Sequence, residues 1–154
     1  MITDSLKFIH AGQIHIDVAP VSITTVLGSC IAVCLYDRKL HIGGMNHYLL
    51  PFWNGNGLQS SRFGNISIPK LIENMLDRGA KISTLEAKIF GGAAINISCC
   101  NATMMVGERN ILVAREILKE YKIDIVAEDV GGNSGRKIQF NLAQGKVLLK
   151  YTAK

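Results

Sequence analysis

The sequence predicts an α+β domain whose mostly antiparallel sheet or sandwich core is covered by two main helices. Three observations carry this reading. The first half of the chain is a series of short Ile-, Val- and Leu-rich runs broken by turn residues, two later segments switch to helical spacing, and the chain closes on two runs joined by a short polar turn. Strands outnumber helices and several neighbours are antiparallel, which argues against a doubly wound parallel sheet.

Taken in order, residues 13–18, 23–27, 30–36 and 41–50 read as strands, and 54–64 is a Gly/Asn/Ser-rich loop. From residue 67 the period changes: Ile68, Leu71, Ile72, Met75 and Leu76 share one helical face, Pro69 suits the first turn and Gly79 the C-terminal cap. Residues 85–90 return to strand character, with Ala87 and Ile89 facing one way and Lys88 the other. A second helix is expected over 108–121, burying Ile111, Val113, Ala114, Ile117, Leu118 and Tyr121. Residues 123–127 form a strand, 129–136 are turn-rich, and 137–142 pairs with 146–151 as a hairpin closed by Ala143-Gln144-Gly145.

A chain of 154 residues, 48% hydrophobic and 19% charged, buries one ordinary core, so residues 1–154 are read as a single domain without repeats or linkers. No window approaches the roughly 18 apolar residues of a membrane span, and the N-terminus lacks an export signal, so a cytoplasmic location is expected. In that reducing compartment Cys30, Cys34, Cys99 and Cys100 are expected as free thiols. The net charge of +5 is scattered, without basic runs or interleaved aromatics, which favours an acidic protein partner over nucleic acid.

Chemistry gathers around Cys30 and His47. If Arg38-Lys39 forms a two-residue turn, antiparallel pairing sets Cys30 opposite His47 with Cβ atoms about 5 Å apart, the geometry of a nucleophile and its base. A bulge at Gly43-Gly44 would instead send the two to opposite faces. Gly28 and Ser29 supply a tight turn whose backbone N–H groups are free to hold an oxyanion or a substrate amide. Pattern alone leaves Cys30 open between a nucleophile and a small buried core residue, whereas Cys34 reads as core. Cys30, Cys34, His41 and His47 mimic a zinc-ligand series, but strand positions four apart lie about 13 Å apart, too far for two ligands at about 2.3 Å from one ion. The metal reading therefore fails on a strand. The stretch 129–136 lacks the ending of a phosphate loop and reads as a structural turn.

Five blocks then stand out together: Leu27-Gly28-Ser29-Cys30, Gly43-Gly44-Met45-Asn46-His47, Leu85-Glu86-Ala87-Lys88-Ile89-Phe90-Gly91-Gly92-Ala93, Gly107-Glu108-Arg109-Asn110 and Glu128-Asp129-Val130-Gly131-Gly132-Asn133. In order and separation they resemble the signature blocks of CheD, the chemoreceptor glutamine deamidase family, over nearly the whole chain. The resemblance moves Cys30 from core residue to nucleophile. It implies a fold similar to glutamine-deamidating toxin domains and a Cys–His–Thr triad, with Cys30 as nucleophile and His47 as base. Its third member falls on Thr24, with Thr25 as the alternative because a one-residue register change exchanges them. The implied reaction converts glutamine side chains of methyl-accepting chemotaxis receptors to glutamate through a cysteine thioester. The implied partners are those receptors and a CheC-type phosphatase. A non-catalytic docking module on the same partners is the rival reading.

Overall fold

The segment IAVCLYD is apolar at nearly every position and buried at all seven, a pattern that only a strand covered on both faces sustains. In the computed structural model, which describes residues 5–94 and 105–152, this strand is the middle strand of the sheet that forms the middle of three layers. Among the described residues nine strands and two α-helices make up those layers: β1 (Leu6–Phe8), β2 (Ile14–Val18), β3 (Ser22–Leu27), β4 (Ile31–Asp37), β5 (Ile42–Asn46), α1 (Gly64–Asp77), β6 (Leu85–Gly91), α2 (Val106–Glu120), β7 (Asp124–Val130), β8 (Arg136–Asn141) and β9 (Lys146–Tyr151). One sheet runs β1-β3-β8-β9 and the other β2-β5-β4-β6-β7. Five of the seven strand pairings are antiparallel; β1 with β3 and β6 with β7 are parallel. The expected α+β class holds.

Alternation along β4 divides the interior. Ile31, Val33 and Leu35 meet Ile68, Leu71, Ile72, Met75, Val113, Ala114 and Leu118 of the helices. Ala32, Cys34 and Tyr36 meet Ile23, Leu27, Ile138, Phe140 and Leu142 of the other sheet. Each fully buried Leu or Ile contributes about 1.5–3 kcal/mol through water excluded from its surface. Gly43 and Gly44 are not a bulge. An added Cβ at Gly43 would sit 2.3 Å from Leu142 and one at Gly44 2.4 Å from Ile16 and 2.9 Å from Leu71, so β5 is glycine because its neighbours already fill both faces.

Three local expectations are corrected. Helix α1 begins at Gly64 rather than 67, because the N–H groups of Gly64 and Asn65 bond the carbonyls of Leu50 and Pro51; Pro69 therefore lies in the second turn. Gly79 closes the helix as expected, at φ +105°. Strand β1 was not anticipated, since three exposed residues carry no usable period. Most consequential is the turn after β4. The Asp37 carboxylate accepts the N–H groups of Lys39 (2.9 Å) and Leu40 (3.1 Å), and Asp37 pairs with Ile42. The turn is thus four residues long, and every pairing in the hairpin slides by two. The Cys99-Cys100 reading lies outside the described residues.

Candidate active site

Sliding by two keeps side chains on their faces, because the side-chain period of a strand is two. Cys34 pairs with Met45, and an isolated bridge pairs Ile31 with Tyr48 in the same register. Ile31 and Tyr48 point to the helices, so the residues just before them, Cys30 and His47, point to the inter-sheet side. Cys30 packs against that inter-sheet core. The two are diagonal neighbours rather than directly opposed, a spacing of about 7–8 Å in a regular ladder. Between them the ladder is interrupted: the Asn46 side chain, not its backbone, accepts the Val33 N–H at 2.7 Å.

Cys30 itself lies in the loop between β3 and β4, not in the strand as its flanking residues suggested, and is half-buried. The carbonyls of this loop are all held. Gly28 accepts the Ala93 N–H (3.0 Å), Ser29 accepts Asn110 Nδ2 (3.0 Å) and Cys30 accepts the Gly92 N–H (2.9 Å). Its N–H groups are not so engaged: among the described residues those of Gly28, Ser29 and Cys30 donate to no backbone carbonyl.

His47 is 6% exposed, and its backbone is pinned to the start of β2 by Gly12 N–H to His47 O (2.7 Å) and His47 N–H to Gln13 O (3.2 Å). The resemblance put Thr24 beside it with Thr25 as the alternative, and the hydroxyl within hydrogen-bond distance of its ring is that of Thr25. Thr24 donates its hydroxyl to the Ile138 carbonyl at 2.7 Å. Thr25, on the opposite face of β3, lies 2.7 Å from His47 Nδ1 and 2.8 Å from the Ile9 carbonyl. A hydroxyl has one proton, and a carbonyl oxygen can only accept. The proton therefore goes to Ile9, and Thr25 Oγ1 accepts from Nδ1–H. This fixes the tautomer and leaves the lone pair on Nε2, the form a general base requires.

Burial, with a smaller contribution from nearby His10, pushes the His47 pKa from 6.5 down to about 4. Burial also raises the Cys30 thiol above its ordinary 9.0, partly offset by its own backbone N–H. The resting pair is neutral thiol and neutral imidazole. The depressed imidazole carries a stability consequence. Between pH 6.5 and about 4 the unfolded chain takes a proton that the folded chain refuses, so stability falls as the pH drops through this window, by at most about 3 kcal/mol. Urea unfolding of the wild type and of His47→Gln at pH 7 and pH 4.5 checks this: the difference between the two proteins should shift by roughly 2 kcal/mol or more in favour of the variant at the lower pH.

The buttress behind Cys30 comes from blocks whose role the sequence did not disclose. Gly91 has φ +110°, and a Cβ there would lie 2.1 Å from the Cys30 carbonyl oxygen. Gly91 is held in turn by Gly131 N–H to its carbonyl (2.9 Å) and by the buried Arg136, whose Nη1 reaches the same oxygen at 3.3 Å. Arg136 also donates Nε to Asp129 (2.8 Å) and Nη2 to the Gly131 carbonyl (2.8 Å). The glycine-rich stretch 129–136 is thus wound around a guanidinium, consistent with the structural turn expected. Asn110 and Arg136 escaped the sequence reading because nothing in their local pattern distinguishes them; the block containing Asn110 was the one signal available.

His15, His41 and Cys34 are occupied elsewhere. His15 lies 2.8 Å from Asp17 and His41 3.0 Å from the Tyr36 hydroxyl, while Cys34 is fully buried with its pKa raised. Among the described residues no three His, Cys, Asp or Glu side chains are grouped to hold a metal ion.

Comparison with known proteins places the chain in a family. The chain is 53% identical over 148 residues to the "Probable chemoreceptor glutamine deamidase CheD" of Sulfurimonas denitrificans, covering 96% of this chain and 95% of that protein. Proteins of the same printed name from Trichlorobacter lovleyi and Methanococcus maripaludis are 48% and 41% identical, covering 92% and 90% of this chain and 88% and 90% of theirs. A solved Neisseria meningitidis structure of family-model DUF152 superposes over 84% of this chain and 62% of its own with a TM-score of 0.46 and 12% identity, too distant to bear on function. The family model "CheD chemotactic sensory transduction" matches residues 49–151, which span three of the five blocks that carried the resemblance. With that match over more than half its length and relatives similar almost end to end, the chain belongs to the CheD family.

Proposed function

We propose that this chain is a cytoplasmic protein-glutamine deamidase, working as one domain over residues 1–154, that converts glutamine side chains of methyl-accepting chemotaxis receptors to glutamate. Cys30 is the nucleophile, His47 the base and Thr25 the residue that orients it. The observation that carries the reading is the Thr25 hydroxyl, 2.8 Å from the Ile9 carbonyl and 2.7 Å from His47 Nδ1: with its one proton given to Ile9, His47 holds its own proton on Nδ1 and keeps Nε2 free to act as the base.

The chemistry follows from the neutral resting pair. Nε2 takes the Cys30 thiol proton as sulfur attacks the carboxamide carbon, and the carbonyl π electrons move to oxygen. The N–H groups of Gly28 and Ser29, which among the described residues donate to no backbone carbonyl, would receive that oxyanion, worth about 3 kcal/mol per donor. The imidazolium then protonates the departing nitrogen, the C–N bond breaks and ammonia leaves a γ-glutamyl thioester. Water, deprotonated by Nε2, cleaves the thioester to glutamate and the thiol recovers its proton. None of these steps calls for a metal or an organic cofactor.

The outer face of the β1-β3-β8-β9 sheet supports a protein substrate of acidic character. It presents Lys137 directly opposite Lys150, with Lys146 and the exposed Leu148 beside them, and its strand positions carry no Asp or Glu. Like charges in register repel, and an acidic helix relieves that cost. The family resemblance adds a CheC-type phosphatase as a second partner.

Peptide mass mapping of a receptor cytoplasmic fragment after incubation tests the reaction. Conversion at defined glutamines, about one mass unit each, is expected; fragments that bind but stay unconverted would leave the docking module as the function. The choice of threonine has its own test. Thr25→Val should lower kcat roughly 100-fold by releasing the tautomer, while Thr24→Val, which loses only a bond to Ile138, should stay within about threefold of wild type. The reverse order of effects would restore Thr24.

A further inference from the structure

Asn110 lies on α2, fully buried, outside the residues assigned above to proton transfer. Its Nδ2 donates to the Ser29 carbonyl at 3.0 Å and to the Leu49 carbonyl at 2.9 Å. Both partners can only accept, so the orientation of this amide is settled by its surroundings and both amide protons are used. Ser29 immediately precedes Cys30, and Leu49 follows His47 by two residues. One side chain therefore ties the loop carrying the nucleophile to the segment carrying the base, at the point where the β4–β5 ladder is reduced to the single Ile31–Tyr48 bridge. The tie is anchored in turn: the Tyr48 hydroxyl, from the same segment as His47, donates to the Asn110 backbone carbonyl.

We infer that Asn110 is a positioning residue that sets the separation between Cys30 and His47. The inference rests on the roles proposed above for those two residues. Its physical content is that a pair of hydrogen bonds replaces the missing ladder bonds across the site, and that losing them lets the Cys30 loop drift from Nε2. Displacements of about 1 Å at a reacting pair cost up to roughly 100-fold in rate.

A double-variant cycle separates positioning from plain stability. Asn110→Ser and Asn110→Ala are each made alone and with His47→Gln, and kcat and KM for a receptor fragment are measured at a temperature where circular dichroism shows all variants folded. If Asn110→Ala does not fold, Asn110→Ser carries the test. Positioning predicts a kcat roughly 10- to 100-fold lower with KM within about twofold, and no further loss when the substitution is added to His47→Gln, since a displaced base and an absent base are equivalent. Losses that multiply, or a change confined to KM, would overturn the proposal. The rate of Cys30 alkylation by iodoacetamide across pH 6–9 gives a readout that needs no substrate. Asn110→Ser should shift that profile toward the profile of His47→Gln, and a profile identical to wild type would count against positioning. If the wild type alkylates normally yet never deamidates a receptor, it is the enzymatic reading that fails, and the alkylation profiles alone decide the role of Asn110.

Discussion

Cys30→Ala should abolish receptor deamidation, with an expected fall in single-turnover rate of roughly 10⁴-fold or more, while unfolding free energy should change by less than about 1 kcal/mol. The first effect is large because the substitution removes the atom to which the acyl group is transferred. Water positioned by His47 is a poor substitute: it has neither the polarisability of sulfur nor a fixed place on the loop. The second is small because the thiol is half-buried and leaves little cavity. Mass mapping on the same receptor fragment measures the rate, and urea titration the stability. Cys34→Ala is the informative control. It removes a thiol that is 1% exposed in the middle of β4, so it should cost stability and leave the rate per folded molecule unchanged. If Cys30→Ala retained activity and Cys34→Ala did not, the assignment of the nucleophile would be lost.

Gly91→Ala should be the most damaging single substitution for the fold. Its φ of +110° already disfavours any side chain, and the new Cβ would fall 2.1 Å from the Cys30 carbonyl oxygen, a backbone atom that cannot swing aside as a flexible side chain would. Relief requires β6 to part from the nucleophile loop, which also breaks the bond between Gly92 N–H and the Cys30 carbonyl. A loss of about 3 kcal/mol or more is expected, or a fall in Tm of roughly 6–12 °C. Gly132→Ala isolates the contact from the dihedral. Gly132 also has positive φ, +71°, but an added Cβ meets nothing within 4 Å, so its cost should be only about 1 kcal/mol. Thermal unfolding of the two variants side by side reads the difference, and equal costs would mean that the approach of Gly91 to Cys30 is not limiting.

The neutral resting pair gives the site a character that follows from its place between two sheets. A partly exposed cysteine beside a protonated histidine would be an ion pair reactive toward any electrophile. Here burial raises the thiol and depresses the imidazole, so charge separation must await the substrate. In the reaction proposed above, attack and proton transfer are then coupled, and the substrate glutamine supplies the reason for the thiol to ionise.

Local pattern was enough to place most elements. Helix α1 was legible from Ile68, Leu71, Ile72 and Met75 and its Gly79 stop, the β8–β9 hairpin from its turn, and Ala87 and Ile89 against Lys88 from strand alternation, because each is encoded by residues a few positions apart. The shared face of Cys30 and His47, the two residues proposed for the chemistry, survived a turn read two residues too short because a slip of two preserves strand parity. The choice between Thr24 and Thr25 was not legible. Alternation tells inside from outside only where one face of a strand is exposed, and in β3 Thr24 is 2% and Thr25 0% exposed, so both look buried and neither looks chosen. The bonds that decide it join Thr25 to Ile9 and His47, 16 and 22 residues away. Asn110 reaches 81 residues to Ser29, and Arg136 reaches 45 to Gly91. The sequence by itself determined what most of the elements are and which family the chain belongs to. Only the tertiary structure decided which neighbour fixes the imidazole and what holds the nucleophile loop in place, because hydrogen bonds between distant segments leave no period in the chain that forms them.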